Sequence, residues 1–477
     1  MANIQKVLIV DLDGSLIKSD MLFESFCSAL SEDFKIIFRI LKYFFLGRAQ
    51  LKNFLYKNSN IDIKTLPYNE KVIKYIKNHK KEKGYTVLVT ASNYKFAEKI
   101  SNHLGLFNEV KGSSEINNLK SNNKKNYLIT RFGHKQYDYI GNSKDDIPVW
   151  QSAKKAIICN TNKALIKKCA LVNQNWEQIT NNNSNYLIKN YFKALRPYQW
   201  IKNILVFLPI LAAHELTFKN IGEGLIAFFS FSFIASCVYL INDLMDLKAD
   251  RAHPRKKLRP FASCSIEILY GILTIPILFT SGILLSLNLN YSFTLLLIIY
   301  FLITTFYSLL LKRLAILDIF TLAILYTIRI VGGGIATDVS ISFWLLAFSM
   351  FIFLSLAAIK RQAEIIDLIK RNEKKAIGRG YFIEDLPIIN MISICSGFIS
   401  VLVVCLYVNS PKVLILYDSP WILWCACWVL LYWIININFL TNRGEMNDDP
   451  IIFAIKNKTS LICMISFSLL FLLSANL

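Results

Sequence analysis

The run YLINDLMDLKADRAHPRKKLRP, residues 239–260, sets an acid cluster and then a basic cluster directly after a stretch of lipid-compatible side chains. On a helix Asp243, Asp246 and Asp250 fall at i, i+3 and i+7, so their carboxylates share one face, with Asn242 beside them. Three carboxylates on one face repel each other unless a hard cation lies between them. Magnesium, which prefers oxygen ligands and keeps substrate phosphate oxygens in its shell, suits such a place. The cations that follow, Arg251, His253, Arg255, Lys256, Lys257 and Arg259, stand ready for the remaining phosphate charge. A solvated loop that merely obeys topology rules would explain those cations, but not the spacing Asn-Asp-x-x-Asp-x-x-x-Asp at a membrane edge.

Outward from this segment the chain divides in two. Of its 477 residues 54% are hydrophobic, too many for an ordinary soluble enzyme, yet the first ~195 residues contain no uncharged stretch of about 18 residues and read as soluble. Met1–Val10 leads straight into a buried-strand pattern, without the basic start and cleavable apolar segment of a signal peptide. Beyond Asn203 nine spans are expected, at 203–219, 221–241, 267–287, 291–311, 316–336, 341–360, 388–408, 420–440 and 459–476. Loops 242–266, 312–315, 361–387 and 441–458 hold most of the cations, so they and the N-terminal region are expected in the cytoplasm of a bacterial inner membrane, with Leu477 outside. That bias also accounts for much of the net charge of +21, leaving anionic lipid as a further partner and no need for nucleic acid. The ten cysteines show no paired Cys-x-x-Cys spacing and read as reduced packing residues.

The soluble part alternates strands and helices, which implies a parallel sheet with its site at the strand ends. Lys6–Val10 ends in Asp11-Leu12-Asp13-Gly14-Ser15, two carboxylates at i and i+2 beside a turn-forming glycine. Thr86–Val89 closes with Thr90, Lys120 follows, and Tyr137–Ile140 leads into Gly141-Asn142-Ser143-Lys144-Asp145-Asp146. Over residues 5–160 this order resembles the haloacid dehalogenase superfamily, mainly magnesium-dependent phosphohydrolases with a Rossmann-like α/β fold and a small helical cap, here about 16–84. The resemblance makes Asp11 the nucleophile and Asp13 the acid and base, with Thr90 on the phosphoryl group, Lys120 balancing its charge, and Asp146 sharing magnesium with Asp11 and Asp13. Asn142 stands where the family has its first acid in the last motif. The domain is expected to run over 1–172. A linker at 173–190, rich in asparagine and including Asn181–Asn183, is expected to lead into a membrane domain from 191. Phe34–Tyr56 belongs to the cap, where basic residues among Phe, Ile and Leu make a helix able to graze a bilayer or to pack as an ordinary amphipathic element.

Arg196–Asn203, with Lys202 among interfacial aromatics, reads alone as a membrane anchor. It gains weight from company: Tyr307 and Lys312 near Asp318, Arg329 within an apolar span beside Gly332–Gly334, Lys360–Glu364, and Asn442–Pro450. A guanidinium in an apolar segment is costly unless it faces a polar cavity. These positions resemble the UbiA-type prenyltransferase superfamily, nine-helix intramembrane enzymes, and within it the decaprenyl-phosphate phosphoribosyltransferase-like branch. The resemblance implies magnesium on Asn242, Asp243, Asp246 and Asp250, phosphoribosyl pyrophosphate as donor and a polyprenyl phosphate as acceptor. It puts Lys202, Tyr239, Lys256, Arg259 and Lys312 at the donor, Arg329 and Lys360 at the acceptor phosphate, and Asn203 among the substrate-binding residues. Two alternatives stay open, an aromatic prenyltransferase using a prenyl diphosphate and a phosphatase merely anchored by the spans.

Overall fold

The computed structural model describes residues 6–113, 118–160, 163–179, 184–373, 379–446 and 449–475, so Asn181–Asn183, Asn447, Asp448 and Leu477 lie outside the described residues. Met1–Leu195 and Leu240–Thr274 form one compact unit, Arg196–Tyr239 and Ile275–Leu477 a second.

In the first unit β1 (Val7–Val10), β2 (Tyr85–Asn93), β3 (Glu109–Ser113), β4 (Tyr137–Gly141), β5 (Lys155–Ile158) and β6 (Trp176–Gln178) make one parallel sheet in the order β3-β2-β1-β4-β5-β6. A parallel sheet is covered on both faces, which is why β1 is a continuous apolar run. Leu8 and Val10 pack on one face with Leu88 and Ile140, while Ile9 packs on the other with Val87, Val89 and Tyr139. Strand β6 corrects the expected linker: Ile157 pairs with Glu177, so the domain continues past residue 172 although its last strand is poor in apolar side chains.

Four helices lie between β1 and β2: α1 (Met21–Glu32), α2 (Ile36–Leu46), α3 (Arg48–Asn58) and α4 (Glu70–Lys81). Val72 and Ile76 of α4 join the sheet core with Leu8 and Leu88, so the cap proper is α1–α3, narrower than expected. Its small core holds Ala29, Leu30, Ile36, Ile40, Leu51 and Leu55, with Met245 packed against it. Gly47 at φ 111° divides α2 from α3, a conformation that L side chains rarely adopt. The remaining helices of the sheet domain are α5 (Tyr94–Leu104), α6 (Asn122–Phe132), α7 (Ile147–Ser152) and α8 (Lys163–Val172), with α9 (Ser184–Leu195) after them.

The membrane part continues with α10 (Leu208–Ala212), α11 (Phe218–Met245), α12 (Leu247–Ala252), α13 (Ile268–Ser286), α14 (Tyr291–Leu309), α15 (Leu317–Ala336), α16 (Phe343–Lys370), α17 (Leu386–Val408), α18 (Pro411–Leu416), α19 (Ile422–Asn442), α20 (Pro450–Lys456) and α21 (Lys458–Ser474). Among the described residues seven helices are long and apolar enough to cross a bilayer, or eight with α20 and α21, bent by 89°, taken as one. The expected first span, 203–219, is instead a 3-10 run, Pro197–Phe207, followed by the five residues of α10. Pro197 and Pro209 each lack a backbone N–H, and the segment has the wrong hydrogen-bond pattern for one long helix.

Candidate functional site

In the sheet domain the polar groups gather at the carboxyl ends of β1 and β4, where strand order reverses. Asp11 is buried just beyond β1, its backbone N–H donating to Ile140 O at 3.0 Å. Gly14, at φ 71°, makes the turn, and a Cβ there would lie 2.0 Å from Asn142 Nδ2. Only glycine meets both demands. Asp13 accepts from Ser92 Oγ at 2.7 Å, from Thr90 Oγ1 at 3.3 Å and from the Met21 N–H at 2.8 Å. Asp146 accepts from Tyr139 OH at 2.6 Å and from the N–H groups of Asn142 and Ser143 at 3.0 and 2.9 Å.

The expected charge-balancing lysine needs correction. Lys124 Nζ lies 2.7 Å from Asp11 and 3.8 Å from Asp146, fully enclosed, whereas Lys120 pairs with Asp145 at 2.9 Å near the surface. The signal was in the sequence: Lys124 and Leu128 fall four apart on the inward face of α6. Burial pushes the Asp11 carboxyl up to about 7, with Asp146 and Asp13 adding to the rise and Lys124 opposing it. Three acids thus share one ammonium. Among the described residues no three His, Cys, Asp or Glu side chains close into a metal cage. Magnesium needs fewer, since it takes one or two carboxylates and fills the rest of its shell with water and phosphate oxygen, so Asp11 and its neighbours fit it.

The acid-base segment also belongs to the first unit. Helix α11 ends at Met245 and α12 starts at Leu247, but i to i+4 bonds continue through the join, from Asp246 N to Asn242 O at 2.9 Å and from Asp250 N to Asp246 O at 2.8 Å. Asp243 and Asp250 therefore share a side, as the spacing requires. Both are buried, and Arg259 bridges them at 3.1 and 2.7 Å, while Asp246 is only half-buried. One guanidinium spanning two oxygen donors marks a place that a divalent ion also suits. Burial lifts Asp250 to about 6, Arg259 opposing and Asp243 adding. Arg251 departs from the phosphate role expected of it. Its guanidinium holds Glu24 of α1 in a buried two-pronged pair, at 3.0 and 2.6 Å, and reaches Ala262 O at 3.1 Å.

In the second unit several expected residues meet. Lys202 and Lys360 converge on Asp449, at 2.5 and 3.1 Å. Arg329 donates to Asn203 Oδ1 at 2.8 Å, to Tyr300 OH at 2.7 Å and to the Leu325 carbonyl, while Asn203 donates to Ser232 at 2.9 Å. The Lys202 and Arg329 cations each lie 5.7 Å from the centre of the Tyr326 ring. Gly333 lets the 3-10 run approach α15, because a Cβ on it would lie 2.0 Å from Val206 O. Against the cost of burial, Lys202 and Lys360 hold the Asp449 carboxyl well below its ordinary range. Tyr239 stacks under Arg196, at 5.2 Å, and Lys312 sits half-buried on the turn after α14. A second network joins Tyr307, Asp318 and Arg361 of the expected polar set to Arg379, which no local pattern singles out: Asp318, fully buried, is 2.5 Å from Arg361 and 3.2 Å from Arg379 and accepts from Tyr307 OH at 2.8 Å.

Residues 204–461 match the UbiA prenyltransferase family. An uncharacterized protein of Sinorhizobium fredii is 34% identical over 95% of this chain and 88% of its own length. Decaprenyl-phosphate phosphoribosyltransferase of Mycolicibacterium smegmatis is 35% identical over 38% of this chain and 58% of that protein. A UbiA homolog from Archaeoglobus fulgidus, solved bound to GPP and Mg2+, aligns over 59% of this chain and 99% of its own, with 13% identity and a TM-score of 0.46.

Proposed function

The chain belongs to the UbiA prenyltransferase family, and from that premise we propose that it moves 5-phosphoribose from phosphoribosyl pyrophosphate to a polyprenyl phosphate, a precursor step for cell-surface glycan. The oxygen of the lipid phosphate bonds to the anomeric carbon as the bond from that carbon to pyrophosphate breaks, so the demands are position and charge. Asn242, Asp243, Asp246 and Asp250 would hold magnesium, whose charge would offset that of the departing pyrophosphate. Lys202, Asn203, Tyr239, Lys256, Arg259 and Lys312 bind the donor, and Arg329 and Lys360 bind the acceptor phosphate. On this reading the cation-rich loops 242–266, 312–315, 361–387 and 441–458 face the cytoplasm.

One observation favours this over transfer of a prenyl group to an aromatic acceptor. Aromatic prenyltransferases usually carry a second Asp-rich motif, and Asp318, the lone acid in the corresponding loop, is sealed between Arg361 and Arg379. Glu364 shares the same two guanidinium groups, so two acids stand against two cations and the cluster has no surplus negative charge for a metal. The cations around Lys202 instead suit a reaction with anions on both sides.

The haloacid dehalogenase-like domain then removes the 5-phosphate. Asp11 attacks phosphorus, Asp13 gives a proton to the leaving ribose oxygen, and water attacks the aspartyl-phosphate after Asp13 takes its proton. Lys124 holds Asp11 in place and offsets phosphoryl charge.

Purified protein given labelled phosphoribosyl pyrophosphate and polyprenyl phosphate should put label into lipid, and Asp243→Asn should lower that rate about a hundredfold. Label entering lipid only from a prenyl diphosphate with an aromatic acceptor would overturn the assignment.

A further inference from the structure

The cap carries more apolar surface than its own core uses. On α2, Phe38, Leu41 and Phe45 fall at i, i+3 and i+7, and Phe34 lies one turn before; their exposures are 76%, 54%, 84% and 49%. At roughly 100° per residue the three on the helix lie within a stripe about 60° wide, and Phe34 precedes them on the turn that leads into α2. The opposite side is already satisfied, with Ile36 and Ile40 buried and Tyr43 stacked on Phe54 at 4.2 Å between ring centres. Lys35, Arg39 and Lys42 stand exposed along one flank of the stripe, and the helix contains no acid. Three large apolar side chains on one exposed helix face, with a fourth on the turn before it, mark a surface awaiting a partner.

Two contacts inside the first unit bear on which partner. Met245, the last residue of the apolar helix α11, packs against the cap core, and Arg251 holds Glu24 of α1 from the next turn. The cap is therefore fastened to the end of a helix long enough to span a bilayer. A second copy laid on this stripe would bring cation against cation. An anionic leaflet supplies the opposite charge and an apolar layer for the aromatic rings. We propose that α2 is a membrane-docking helix, its stripe seated among the headgroups of an anionic leaflet with Lys35, Arg39 and Lys42 on lipid phosphates. A domain seated this way meets phosphate esters that stay in the leaflet.

The test uses the full chain in nanodiscs containing a phospholipid with a photoactivatable group high on its acyl chain, with labelled peptides mapped by mass spectrometry. Peptides of α2 should label in discs rich in phosphatidylglycerol, and Phe38→Gln with Phe45→Gln should reduce that labelling about fivefold while label on α13 and α14 holds. Both side chains are exposed, so the thermal midpoint of the variant should match the native one; Phe45→Gln alone serves if it does not. Arg39→Gln with Lys42→Gln should reduce labelling in anionic discs to its value in phosphatidylcholine discs. Label confined to the spans, label on α2 indifferent to these substitutions, or cross-linking of α2 to another copy of the chain would each overturn the proposal.

Discussion

The two polar clusters of this chain are charged in opposite senses. Beside the sheet Asp11 and Asp146 flank the ammonium of Lys124, with Asp13 two residues beyond Asp11; in the second unit Lys202 and Lys360 clamp the carboxylate of Asp449, with Arg329 across the Tyr326 ring. Buried charge is tolerated only when it is countered, so each imbalance states what the site is short of. The acid-rich cluster lacks positive charge and is suited to a divalent ion. The cation-rich one lacks negative charge and is suited to phosphate. Between these extremes stands the pair of Glu24 with Arg251, one charge against one, which needs nothing further.

Substitutions can test that ordering. The largest effect should follow Asp11→Asn: release of phosphate from a phosphoribosyl lipid falls at least about a thousandfold, because the attacking carboxylate is gone, while transfer onto the lipid stays within about twofold. Equal phosphate release from both proteins would break the acid side of the comparison. Next comes the balanced pair. Glu24→Gln strands a buried guanidinium and should cost about 3 kcal/mol in the unfolding of the first unit, with partial recovery when Glu24→Arg is combined with Arg251→Glu. Denaturant titration followed by near-ultraviolet circular dichroism reads both. A smaller change is expected from Lys360→Met, which leaves Lys202 on Asp449: the KM for the anionic substrates should rise about tenfold with little loss of kcat. An unchanged KM would remove the cationic cluster from the binding surface.

The smallest effect concerns Asp20, which caps α1 by accepting from Leu22 N–H at 2.8 Å. Burial, and then the nearby Asp13, push its carboxyl up to about 7. A raised acid favours the fold in its neutral form. Its contribution is complete below the ordinary carboxylate value, near pH 4, and disappears as pH rises through about 7. Asn keeps the cap and carries no charge, so Asp20→Asn should flatten the fall in thermal midpoint between about pH 4 and 8. A parallel fall in both proteins would show that the acid surplus has no energetic consequence there.

Much of this organisation could be read from residue order. The end of β1 is legible because a strand buried on both faces is an apolar run, and two acids directly after it have nowhere to go but the strand ends. Lys202, Arg329 and Lys360 are legible because a cation in or beside an apolar span demands a polar neighbour. What residue order does not carry depends on distance or on small changes of phase. Lys124 and Lys120 are four residues apart, and what separates them is that Lys120 precedes α6 while Lys124 lies on its inward face. Glu24 and Arg251 are separated by 227 positions, so no local pattern links them. Apolar length alone does not distinguish a straight span from the 3-10 run at Pro197–Phe207 or from the bend between α20 and α21.

The membership of Leu240–Thr274 in the first unit has a consequence for biosynthesis. The ribosome completes the sheet domain long before it makes Arg251, and α11 must emerge in between. Until those residues have been made, Glu24 has no guanidinium and the cap core lacks Met245. A nascent chain that stalls before Arg251 therefore displays an unfinished cap to chaperones and proteases, and the sheet domain matures only in molecules whose apolar helix α11 has already been made.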